Sequence, residues 1–375
     1  MYPKGENYKM KPTRRRFLIA AAIASLIAPA IAPATAHAQE VDFTGKQIEW
    51  VIPLSEGGGT DVWARFLAPY LSRYLPGQPA VFIRNVPGGG SITGTNQFAA
   101  RPRTDGLSLI GTTGSTALPM LLGDTRVNYD FNRDFVPLLV SPSGGVAYLP
   151  PSFGVNSIAD LGKLKDTELV YGSQGPTGLD IIPMLGFELL GLNVRHVFGM
   201  TGRGDGRLAF VRGEATIDYQ TTSAYLSNVV PMVEEGTAVP IFAWGVLNGE
   251  GEIVRDPTFP ELPSFVEAYE AVHGKKPEGI EYEAFLALFG AGMSASKPAM
   301  LPKGTPEPII QAYREAFEKA LQDPELLARS GEILGAYEQG VGDSLEGMFR
   351  VATTISPEAR AWAQNYLNER YQIKF

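Results

Sequence analysis

The chain of 375 residues contains no cysteine, which excludes disulfides, a thiol nucleophile and thiolate metal sites. Histidine is nearly as scarce, with three in all, and His37, His196 and His273 show no metal-ligand spacing. His196 falls within an apolar run and reads as a packed or hydrogen-bonded core residue. No Gly-x-Ser-x-Gly nucleophile elbow or Gly-x-x-x-x-Gly-Lys phosphate loop occurs. The turn from Gly88 to Gly94 also fails the Gly-x-Gly-x-x-Gly pattern, because counting from Gly88 the last position is Thr93. No metal or cofactor is expected.

The one long apolar run stands at the start. Thr13-Arg14-Arg15-Arg16-Phe17-Leu18 precedes an Ala/Ile/Leu stretch from Ile19 to Ile31, and Ala36-His37-Ala38 supplies a small-residue cleavage site. Residues 1–38 therefore read as a signal peptide; the paired arginines before Phe17-Leu18 resemble the twin-arginine export signal, and an ordinary secretory signal with a basic start is the alternative. Without cysteine a lipid anchor is excluded, so a soluble periplasmic product is expected. Residues 1–38 hold six basic side chains and one acidic, so their removal takes the formal charge from −8 to −13. An acidic surface disfavours nucleic acid and anionic membrane as partners. The remaining length exceeds one comfortable core, and two domains are expected.

What is abundant is glycine, placed after short strands. Gln47 to Ile52 reads as a buried strand, followed by Ser55-Glu56-Gly57-Gly58-Gly59-Thr60-Asp61 and a helix with Val62, Phe66, Leu67, Tyr70 and Leu71 on its apolar face. Thr60 or Asp61 can cap that helix, and Asp61 and Arg65 stand one turn apart. The pattern recurs: strand 80–84 runs into Asn85-Val86-Pro87-Gly88-Gly89-Gly90, and strand 107–111 into Thr112-Thr113-Gly114-Ser115. It restarts with strand 168–172 and Ser173-Gln174-Gly175-Pro176-Thr177, strand 194–198 and Gly199-Met200-Thr201-Gly202, and strand 215–220, which contains Asp218. Strand, turn and helix repeated in this way predict an α/β fold of mostly parallel sheets with flanking helices. Ligands in such sheets sit beyond the carboxyl ends of the strands, where helix N-termini offer free N–H groups to an anion.

The segments 135–140 and 145–149 predict a passage between domains at 141–144, and 239–245 a return crossing. This gives lobe 1 as 39–143 and 247–375, lobe 2 as 144–246, and hinges near 141–145 and 243–247. The helical tail is expected to pack back on lobe 1.

The order of these motifs resembles the Bug-type periplasmic substrate receptors of tripartite tricarboxylate transporters, over nearly all of the chain after residue 38. Their Pro-Gly-Gly-x-x-Asp-x-x-Ala-Arg loop is matched by Gly57, Gly58, Asp61, Ala64 and Arg65, and their Asn-Arg-Pro-Gly-x-Gly-Gly segment by Asn85, Pro87, Gly88 and Gly90. Asp105-Gly106 matches the next Asp-Gly pair. Tyr171, Gly172, Ser173 and Gly175 match Tyr-Gly-Ser-x-Gly, and Gly213 with Asp218 approximates Gly-x-x-Asp. Glu56 stands where proline is usual, Val86 where arginine is, and Gly199-Met200-Thr201-Gly202 where Tyr-Lys-Gly is. Loss of positive charge near the cleft argues against a highly charged ligand such as citrate.

The resemblance implies a two-lobed periplasmic binding protein with two crossing strands and facing loops that grip a ligand carboxylate. The expected ligand-binding residues are Ser55, Gly57, Gly58, Gly59, Thr60, Asp61, Thr112, Thr113, Ser173, Gln174, Gly175, Thr177, Thr201, Gly202 and Asp218. Asp218 is expected to accept hydrogen bonds from a ligand hydroxyl or from loop amides. Expected partners are a small carboxylate (an organic acid, including hydroxy and amino acids) and membrane transporter subunits, with the receptor itself a monomer. The alternative is an exported hydrolase or lyase acting on a small carboxylate.

Overall fold

The computed structural model describes residues 41–248 and 250–375. The expected signal peptide lies outside the described residues. Strand β1 (Gln47–Ile52) lies inside a five-stranded sheet, with Ile48, Trp50, Val51 and Ile52 buried and both its neighbours running parallel to it: β2 (Ala80–Asn85) and β3 (Ser108–Gly111). Helices α1 (Gly59–Tyr74), α2 (Ile92–Ala99) and α3 (Gly114–Leu122) follow these three strands. After the short α4 (Phe131–Asp134), β4 (Phe135–Ser141) forms the far edge, giving the order β2-β1-β3-β12-β4 with β12 (Lys297–Pro302) inserted. One core packs Trp50, Trp63, Leu67 and Leu71 against Tyr313 and Phe317 of the helix Glu307–Leu321.

The second set of strands begins with β5 (Gly145–Leu149), which lies between β8 (Asp218–Thr221) and β9 (Val239–Ala243). The pair β6 (Leu169–Ser173) and β7 (Val194–Phe198) is parallel. The two groups join where Val170 and Thr216 exchange hydrogen bonds: Thr216 N–H donates to the Val170 carbonyl and Val170 N–H donates to Thr216 Oγ1, each 2.8 Å. Helices α5 (Ile181–Leu189) and α6 (Arg203–Val211) flank these strands.

The sheets are mixed rather than mostly parallel. Strand β5 runs antiparallel to β8 and β9, and β12 antiparallel to β3 and β4. Both reversed strands enter directly from the other half of the molecule, without the long crossover, usually a helix, that brings a strand back parallel to its neighbour.

The return crossing also differs from expectation. Residues 239–243 stay in the second sheet as β9, and Trp244 is fully buried against Phe187 and Phe265. The small hairpin β10 (Val246–Leu247) with β11 (Ile253–Val254) follows. The helices Phe265–His273 and Ile280–Phe289 then join the core of the second set of strands through Phe265, Phe285 and Phe289. The chain rejoins the first sheet only through residues 290–296, ahead of β12. Of the tail, the helices Glu307–Leu321 and Leu345–Ala352 pack on the first sheet. The last helix, Pro357–Tyr371, places Ala363 and Leu367 in the other core, and its Tyr366 and Arg370 reach Glu188 of α5. Phe265, Phe285 and Phe289 thus extend the second core well past residue 246.

Candidate functional site

The first glycine loop is braced from within. Gly57 has φ +73°, a conformation open to glycine at little cost, and its N–H donates to the Asp61 carboxylate at 2.9 Å. Asp61 also accepts from Arg65 Nε at 2.9 Å and Asn85 Nδ2 at 3.0 Å, while Asn85 Nδ2 holds the Leu54 carbonyl at 3.0 Å. Gly58, not Thr60 or Asp61, occupies the helix N-cap position, and Asp61 reaches back over it from the third helical residue. With its acceptor capacity taken up inside the loop, Asp61 shapes the site rather than facing into it. Glu56 points away: its side chain is 78% exposed, 3.8 Å from Arg65.

Gly58, Gly59 and Thr60 line a cavity shared with Leu54, Thr113, Ser115, Gln174, Leu179, Arg203 and Thr221. The cavity therefore has walls from both sets of strands. Helices α1, α3 and α6 all start at this wall, and the first-turn N–H groups of a helix have no partner within it. Three positive dipole ends converging on one void make a setting for an anion. Three polar atoms near it are buried without a partner: Ser55 Oγ, Gln174 Oε1 and Arg203 Nε. The cavity measures about 20 Å³, room for roughly one water molecule, because the two walls touch. A Cβ added at Gly59 would lie 1.9 Å from Thr221 Oγ1, and one at Gly202 would lie 2.1 Å from Ser55 Oγ. Gly90, in the second glycine turn, faces the Gln174 backbone.

The other expected residues fall in three groups. Ser173, Gly175 and Thr177 belong to the facing turn but not to the cavity wall: Ser173 Oγ accepts from Gly175 N–H at 3.1 Å. Thr177 bridges the two halves, donating to Asp124 at 2.7 Å and accepting from Arg126 at 3.1 Å, and Leu179 N–H reaches Ser115 Oγ at 3.4 Å. Thr112 is buried just before the Thr113 cap, with Oγ1 unpartnered. Thr201 is exposed and bonded to Asp205 at its N–H and hydroxyl, so it does not face the cavity.

Asp218 requires a correction. It is wholly buried and accepts from Arg203 Nη2, Tyr148 Oη and Gln220 Nε2, which leaves it no free face for a ligand. Its partner Arg203, absent from the expected set, is the organising charge of this half. The guanidinium lies between the Tyr171 and Tyr219 rings, 4.8 and 4.9 Å from their centroids. Nη1 donates to the Gly172 carbonyl at 2.6 Å, and Asp180 stands 3.4 Å away. Burial by itself would favour the neutral form, but Asp218, Tyr171 and Asp180 outweigh it and hold the Arg203 pKa above its ordinary value. Asp180 in turn accepts the Gln174 N–H at 2.7 Å, so the arginine's network sets the turn that carries Gln174. Ser115, Thr221 and Leu179 were also missed, although the rule that ligands sit beyond strand ends covers the first two.

No family model matches the sequence. BugT of Bordetella pertussis (strain Tohama I) is 26% identical over 292 residues, 75% of this chain and 78% of BugT. Among solved structures, the periplasmic binding protein BugD superposes with a TM-score of 0.65 at 19% identity, covering 88% of this chain and 98% of BugD. An R. palustris protein with adipate gives 0.67 at 20% identity, with the same two coverages. The chain is thus similar in sequence to BugT over three quarters of its length, and across 88% of its length it has the fold of the periplasmic binding protein BugD.

Proposed function

We propose that the protein is an exported receptor that captures a small carboxylate between its two sets of strands and hands it to a membrane transporter of the tripartite tricarboxylate type. The observation that carries this reading is the convergence of three helix N-termini from both halves on one polar void, beside the unpartnered Gln174 Oε1 and Ser55 Oγ. The site residues we assign are Ser55, Gly58, Gly59, Thr60, Thr113, Ser115, Gln174, Arg203 and Thr221. A ligand of several carbons does not fit a void of about 20 Å³, so entry requires the halves to part and binding draws them together. A relative with adipate fits a carboxylate ligand, and the acidic sequence with few cations at the void favours one carrying a single or double charge.

No carboxylate pair faces the void, since Asp61 and Asp218 are both engaged within their own halves; this favours binding over hydrolysis or elimination. Among the described residues no helix is long and apolar enough to cross a membrane. We assign residues 1–38 as an export signal, of the twin-arginine or the general secretory kind, and the product as a periplasmic monomer. A thermal-shift screen of mono-, di- and tricarboxylates followed by calorimetry tests the reading. One carboxylate should bind with unit stoichiometry and be recovered unchanged; conversion of the ligand, or no response to any of them, overturns it.

A further inference from the structure

A second cavity, of about 460 Å³, shares no lining residue with the one above. Part of its wall comes from the two stretches of chain that connect the sheets, Pro142 and Ser143 between β4 and β5 and Met293 and Ser294 ahead of β12, and the polar side chains of Tyr337 and Glu338 line it from the tail. Leu247 and Phe289 complete an apolar body within the size range of small-molecule sites, about 300–1,000 Å³. We propose that this cavity is a binding site for a small monocarboxylate with an aromatic or branched apolar body, held at Ser143 and Lys297.

Lys297, the first residue of β12, is 1% exposed. Its Nζ donates to Ser143 Oγ at 2.8 Å and makes no ion pair among the described residues. A buried ammonium with one neutral acceptor is electrostatically incomplete, and its burial lowers the pKa to about 7. Ser143 lines the cavity, its hydroxyl oxygen accepts from that nitrogen, and its own proton makes a long 3.2 Å bond to the Gly144 carbonyl. A carboxylate entering the cavity takes that proton as a hydrogen bond while Ser143 continues to accept from Lys297. The anion supplies the missing counter-charge, and the apolar body covers Leu247, Phe289 and Met293. Ser143 N–H also bonds the Met293 carbonyl at 3.1 Å, so the two connections are already fastened together at this wall. An occupant touching both biases how the halves move relative to each other.

Sodium benzoate is the probe, with benzyl alcohol as its neutral counterpart, in calorimetry on the full-length protein after removal of any export signal. Benzoate should bind at least about tenfold more tightly than the alcohol, and take up a proton above pH 7. Lys297→Met should remove that preference, Leu247→Trp should abolish binding of both, and Gly59→Ala, whose methyl meets Thr221 rather than any residue of the second cavity, should still bind benzoate in preference to the alcohol. Should Lys297→Met fail to fold, Ser143→Ala carries the same expectation. Absence of benzoate binding, binding indifferent to the Lys297, Ser143 and Leu247 substitutions, or binding lost in Gly59→Ala but kept in Leu247→Trp refutes the assignment. The last outcome would place benzoate in the first cavity and leave the receptor reading intact.

Discussion

Gly59 offers the sharpest test of how the two halves meet. It is the first residue of α1 and has no left-handed backbone angle, so alanine there is compatible with the helix. Alanine is intrinsically the better helix former, by about 1 kcal/mol in a helix interior, and the lone first half should not suffer from the change. What the methyl meets lies across the void: Thr221 Oγ1 at 1.9 Å and Thr221 Cβ at 3.3 Å. The threonine can turn its hydroxyl aside, but rotation brings either a methyl or a hydrogen to the same place, and only the hydrogen gives relief. Overpacking of this kind costs about 1–3 kcal/mol, borne only when the halves are together. Ligand affinity in Gly59→Ala should therefore fall by roughly five- to a hundredfold. Thr221→Ala in the same chain removes Oγ1 and should restore most of the loss. Calorimetry of the four proteins of this cycle, with the best-binding carboxylate from the screen, gives the coupling directly. Unchanged affinity in Gly59→Ala, or a loss that Thr221→Ala does not repair, would show that the contact between Gly59 and Thr221 is not part of the bound state.

Three further outcomes are expected. Asp61→Asn keeps the shape but weakens bonds to the Gly57 N–H and to Arg65; hydrogen bonds to charged groups contribute about 1.5–3 kcal/mol each, so chemical denaturation should show a loss of that order and binding should weaken with it. Glu56→Gln should leave affinity within about 0.5 kcal/mol of wild type, because the side chain stands in solvent beside Arg65; a larger drop in calorimetry would mean that Glu56 reaches the ligand. Burial pulls the His196 pKa down to about 4, so between about pH 6.5 and pH 4 the unfolded chain binds the proton more readily and stability is lost as pH falls. The contribution is at most about 1.4 kcal/mol per pH unit, and urea titrations of His196→Phe across that window should show a shallower pH slope than wild type.

Local patterning of residues specifies the strand–turn–helix units. Strands ending in glycine or in small polar residues, each followed by an apolar-faced helix, fix where a backbone must turn and where free N–H groups collect. That information is short-range, and Gly58, Gly59, Thr60, Thr113 and Gln174 were legible for this reason. The motif residues Asp61, Arg65 and Asn85 were legible too, but not their role, since a carboxylate that braces its own loop and one that meets a ligand occupy the same place in the chain. That Arg203 closes over Asp218 emerges only once the chain is folded. Their pairing is a long-range choice among several buried acids and cations, made by the stacking of Tyr171 and Tyr219 around one guanidinium. The second connection between the sheets, at 290–296 rather than 239–245, was likewise out of reach of local pattern. An apolar strand such as 239–243 pairs with whichever partner completes a core, and Trp244 with Phe265 and Phe285 made the second core the more complete one.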